Sequence, residues 1–97
     1  MFDILRKAIE TYGKDAQMDM MIEEMSELTK ALLKYRRAGS DESAKKKAEE
    51  NILEEIADVH IVLEQMEMIF DKGNDVFNIV AQKIERLDKR IKEQNNA

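Results

Sequence analysis

Two pairs of acids, Glu24 with Glu27 and Glu55 with Asp58, are the residues in this 97-residue chain best suited to chemistry. Each pair is spaced three apart, so on a helix each shares one face. If the helices that carry them pack antiparallel, four carboxylates converge on one point. Such a cluster repels itself strongly unless cations compensate it. Hard oxygen ligands select Mg²⁺, Mn²⁺ or Ca²⁺ over zinc. The chain holds 21 acids, so chance pairs on an ordinary solvated face are the competing explanation. Their neighbours argue for a site. Gln17, Met20, Met21, Leu28 and Ala31 share the face of Glu24 and Glu27, while Asn51, Val62 and Ile69 share that of Glu55 and Asp58. Acids that border apolar residues generally need a partner or a metal.

Positioning these acids requires helices, and the sequence predicts four. No proline interrupts the chain, and Gly13, Gly39 and Gly73 punctuate it. The first helix is expected over 2–12. Asp15 is a candidate cap for a second over about 16–37, and the stretch 38–41 reads as a loop. A long third helix is expected from 42 or 48 to 71. Asn74 or Asp75 can cap a fourth over about 76–93, with the tail 94–97 expected to fray. On the third helix Ile52, Ile56, Val59, Leu63, Met66 and Phe70 form one apolar stripe. Leu53, Ala57, Ile61 and Met68 form another. A helix apolar on two sides needs two layers of neighbours. The expectation is therefore an all-α, four-helix bundle completed by homo-oligomerisation, with the third helix near its centre.

Composition narrows the function classes. Charged residues make up 38% and no run approaches a membrane span. A net charge of -5 disfavours general nucleic-acid binding and suits a site that recruits cations. Cysteine is absent, which excludes disulfides and thiolate metal sites and accords with a cytoplasmic setting. The first residues show no basic segment leading into a long apolar run, so no secretion signal is expected.

The pattern Glu23-Glu24-x-x-Glu27, then Glu55-x-x-Asp58, resembles the EExxE…ExxD motif of the MazG-like all-α nucleoside triphosphate pyrophosphohydrolases. Gly13 and Gln17 before the first motif, Leu28 after Glu27, and Ala57-Asp58-Val59 extend the likeness, which covers about 12–90. It implies one MazG-like domain over 1–97, associating as a dimer or a dimer of dimers. It also implies Mg²⁺-dependent hydrolysis, with Mn²⁺ a possible substitute, between the α and β phosphates of a nucleoside or deoxynucleoside triphosphate. The products are a nucleoside monophosphate and pyrophosphate, in house-cleaning of the nucleotide pool. By position, Glu24, Glu27, Glu55 and Asp58 become the metal ligands, able to hold more than one ion. Glu23 is either a supporting acid or a surface partner of Lys30 or Lys34. The general base stays open among Glu23, Glu24, Glu27 and Glu54.

For substrate contacts, Lys83, Arg86 and Arg90 form a row along the fourth helix that suits a leaving pyrophosphate. Lys34 is a further phosphate candidate, whereas Arg36 and Arg37 suit the C-terminal helix dipole. Gln17 can address a base or sugar, and Asn51 lies one turn before Glu55. Tyr12 and Tyr35 are the candidate stacking rings, while Phe70 and the methionines read as core or interface filler. His60, the only histidine, faces away from Asp58. A di-iron carboxylate bundle would need Glu-x-x-His on two helices, and Ala57 stands three before His60. A non-enzymatic helical interaction protein, or a helical bundle that merely binds metal, is the remaining alternative.

Overall fold

Glycine decides where the helices break. The computed structural model, which describes residues 1–96, contains α1 (Phe2–Tyr12), α2 (Lys14–Ala38), α3 (Glu42–Phe70) and α4 (Asp75–Asn96), with no strand among the described residues. Gly13 alone separates α1 from α2, at φ 95° and ψ 158°. Side-chain-bearing residues rarely adopt that backbone. Its amide donates to the Ile9 carbonyl at 2.8 Å and closes α1. Asp15 is consequently not a cap, because α2 already begins at Lys14 and Asp15 lies in its first turn. At the other end, Gly39 at φ 59° turns the chain back. Asp41 then caps α3, its Oδ1 accepting from the Ala44 amide at 3.1 Å.

A loop of three residues, 39–41, leaves α2 and α3 no arrangement but an antiparallel hairpin. The two meet through Gln17 and Ala31 on α2 and Ala48, Val62 and Gln65 on α3. The small alanines let the backbones approach. This interface differs from the expected core. Ile56, Leu63 and Phe70 remain exposed, as do Leu53 and Ile61. The helix is thus apolar beyond what one neighbour covers, as two stripes predict. The face that α2 does cover lies beside the first stripe, centred on Val62.

At the open end of the hairpin, α1 packs against both helices. Gln65, only 2% exposed, donates from Nε2 to the Leu5 carbonyl at 3.1 Å. We expect Gln65→Met to lower stability by about 1 kcal/mol, or about 4–8 °C in Tm, by removing this bond while conserving length. An unchanged thermal midpoint would rule the anchor out.

The fourth helix packs along none of the other three, and every one of its residues is exposed. It also runs to Asn96, so 94–96 are helical where fraying was expected, while Ala97 lies outside the described residues. Asp71 Oδ1 accepts from the Asp75 amide at 3.1 Å where it starts. The projecting helix gives a radius of gyration of 17.5 Å, against about 12.5 Å for a compact chain of this length. Among the described residues, no helix is long and apolar enough to cross a membrane.

Candidate metal centre

The hairpin places Glu24 at mid-height on α2 and Glu55 and Asp58 opposite it on α3. One carboxylate oxygen from each of Glu24, Glu55 and Asp58 lies within 4.8 Å of the others. The structure brings together three of the four acids singled out by spacing. Glu27, the fourth, stays at the border, where its Oε1 accepts from Lys30 Nζ at 3.4 Å. Lys30 therefore pairs with Glu27 rather than with Glu23.

Electrostatics within the cluster are unfavourable. Partial burial pushes the Glu24 carboxyl above the usual range, and the charges of Asp58, Glu55, Glu23 and Glu27 push it further. Burial likewise raises Glu55, reinforced by Asp58, Glu27 and Glu54. The Glu55 Oε2 atom is buried and has no hydrogen-bond partner. A buried oxygen of a carboxylate without a donor is costly. A divalent cation bound there would supply what is missing: it would coordinate the orphaned oxygen and offset the repulsion. The donor set, all carboxylate, fits Mg²⁺ or Mn²⁺.

Two separate grooves, neither lined by Glu24, Glu27, Glu55 or Asp58, open toward opposite ends of the hairpin. Met20, Glu27 and Lys34 recur every seven residues on α2, and Ala44, Asn51 and Asp58 do so on α3. Seven residues return to nearly the same side of a helix. Toward the hairpin tip a groove of about 590 Å³ lies between Lys34 on α2 and Ala44, Lys47, Ala48, Glu50, Asn51 and Glu54 on α3. Lys34 and Asn51, singled out by spacing, thus line one groove, together with Lys47. Spacing missed Lys47 because it stands in the stretch where the start of α3 was uncertain. Its signal was its place four before Asn51 and seven before Glu54, a single stripe that ends on Asp58.

Toward α1 a second groove, about 510 Å³ and mainly apolar, is lined by Ala8, Tyr12, Ala16, Gln17, Asp19 and Met20. Tyr12 and Gln17, proposed separately as base contacts, thus line one groove. Tyr35 does not join them; its ring lies 5.4 Å beneath Lys45 Nζ, bracing α2 against α3. His60 is lodged elsewhere, in a groove with Phe2, Leu5 and Glu64. Met25 is 51% exposed and does not fill the core. Lys83, Arg86 and Arg90 stand exposed on α4, so the grooves of one chain are built without them.

No family model, curated protein or solved structure matches this chain. The site's own geometry therefore carries the functional argument.

If the groove binds a phosphate-bearing substrate, changing Lys34 or Lys47 to Ala should raise KM about tenfold each, the worth of one charge-assisted hydrogen bond. Steady-state kinetics on the two single variants checks this. If kcat fell instead while KM held, the lysines would be acting on the reaction and not on binding.

Proposed function

We propose that the protein is a Mg²⁺-dependent nucleoside triphosphate pyrophosphohydrolase. The observation that carries this reading is the partnerless Glu55 Oε2 inside a triad of converging carboxylates. Two further features support it. Lys34 and Lys47, beside Glu50 and Glu54, line one groove, and a tyrosine with an amide lines the other. A nucleotide has the same polarity, with anionic phosphates at one end and a flat base at the other. The EExxE…ExxD resemblance adds the reaction class.

In this reading Glu24, Glu55 and Asp58 hold the cation, with Glu27 joining them by giving up Lys30. Bound there, Mg²⁺ would neutralise phosphate charge and lower the pKa of a water beside the α-phosphorus. Lys34 and Lys47 bind and orient the phosphate oxygens, and Asn51 between them and the triad can donate to another. Tyr12 stacks on the base while Gln17 addresses its edge or the sugar. Water attacks the α-phosphorus, the bond to the bridging oxygen breaks, and pyrophosphate leaves with that oxygen. Glu54, which borders the triad without joining the ligands, accepts the proton that the water gives up. Clearing aberrant nucleotides in the cytoplasm is the role this reading suggests.

The test is a panel of NTPs and dNTPs assayed for Mg²⁺-dependent pyrophosphate release. One or more nucleotides should be cleaved to monophosphate and pyrophosphate. Absence of release from every nucleotide, by a folded protein that binds Mg²⁺, would falsify the enzymatic reading. The plain metal-binding bundle would then stand.

A further inference from the structure

Every apolar residue of α4 lies in solvent, and five of them follow a heptad. Phe77, Val80, Ile84, Leu87 and Ile91 are spaced three, four, three and four apart. These are a and d positions, with Phe77, Ile84 and Ile91 at a and Val80 and Leu87 at d. Isoleucine at a with leucine at d favours two parallel strands. The chain as a whole needs a cover. It exposes 8101 Å², about 2,400 Å² more than a compact chain of 11.3 kDa. A stable interface takes about 800 Å² from each partner.

Flanking charges choose the partner and its direction. The g positions hold Lys83 and Arg90, and the e positions hold Ala81, Asp88 and Asn95. In a parallel pair each g residue meets the e residue five further along the other chain. Lys83 then meets the partner's Asp88, twice by symmetry, and Arg90 meets the partner's Asn95. An antiparallel pair sets g against g. The registers that overlap most of the helix place Lys83 or Arg90 against a cation, the partner's Lys83 or the partner's Arg90. The α3 face left uncovered is a poorer match, because His60 and Glu67 interrupt its heptad.

We propose that α4 pairs, parallel and in register, with α4 of a second copy of this chain. The seam fixes the expected homo-oligomer as a dimer joined at α4. It is independent of the pyrophosphohydrolase reading. Lys83 and Arg90 serve the seam in this arrangement, not a phosphate.

Light scattering on the full chain over a dilution series should give twice the monomer mass. The chain has no cysteine, so Leu87→Cys introduces a single thiol. Two d positions meet only in a parallel pair, so oxidation should link the chains through residue 87. Because α4 supports none of the other helices, circular dichroism should show the variant folded. Lys83→Glu sets two carboxylates together at both ends of the symmetric contact, and should weaken the dimer about tenfold. Adding Asp88→Lys should restore it. A monomer at all concentrations overturns the proposal. So does a dimer that fails to cross-link at 87, or one that Lys83→Glu tightens, which is the antiparallel result.

Discussion

Asp58→Asn should lower Mg²⁺-dependent pyrophosphate release by more than about 100-fold while making the metal-free protein more stable. The two effects have one origin. Asp58 supplies one of three oxygens that converge within 4.8 Å. Outer groups that merely orient metal ligands cost about 10–100-fold when removed, so a ligand itself should cost more. In the absence of metal the same carboxylate is a liability. After burial, its charge is the largest influence raising both Glu24 and Glu55. An amide of the same shape removes that repulsion. Turnover and the thermal midpoint in chelator should be measured on the same preparation. A variant that loses activity and stability together has lost its fold, not a ligand.

Mg²⁺ itself should be the strongest stabiliser of the wild-type chain. A ligand at about 100 times its Kd adds about 2.7 kcal/mol, which is about 10–20 °C for a domain of this size. Glu55→Gln should abolish most of that gain. The pH dependence follows from the direction of the two shifted carboxyls. Glu24 and Glu55 both have folded pKa values above the ordinary 4.5. Just above pH 4.5 the folded chain therefore holds more protons than the unfolded one. Their contribution to stability falls as pH rises through that window, and the relief is complete below 4.5. With Mg²⁺ the trend reverses, because protons compete with the metal for the same oxygens. Thermal melts from pH 4.5 to neutrality, with Mg²⁺ and with chelator, check both signs. A metal-free profile that climbs with pH would remove burial and mutual repulsion of these carboxyls as the governing effects.

Much of this fold is legible in the residues. Three glycines and no proline mark four helices, and the first, Phe2–Tyr12, falls where expected. The convergence of Glu24, Glu55 and Asp58 needs only i, i+3 spacing and a short loop. Other features depend on tertiary choices that periodicity cannot express. The face of α3 that meets α2 holds Ala48, Val62 and Gln65, and hydropathy ranks it below the stripe of Ile56, Leu63 and Phe70. Close approach favoured the smaller residues. The anchoring of α1 rests on one amide, Gln65, whose partner lies 60 residues away. Glu27 has the right spacing for the triad, yet its side chain turns to Lys30, one turn further along. Gly13 was correctly read as a break, but a single glycine ends one helix and begins the next, which left no room for an Asp15 cap.

The residues from one groove past the acids to the other repeat in sevens, through Met20, Glu27 and Lys34 on α2 and Ala44, Asn51 and Asp58 on α3. Seven residues rise about 10.5 Å and fall only about 20° short of two full turns. The hairpin therefore works as a ruler with heptad divisions. Inserting seven residues between Glu27 and Lys34, together with seven between Lys47 and Asn51, would carry the lysine end about 10.5 Å further from the acids and keep it on the same flank. A single inserted residue in α2 would instead swing Lys34 about 100° out of line. Length changes in this hairpin are thus tolerated only in matched steps, and the reach between cation and lysines is written in whole heptads.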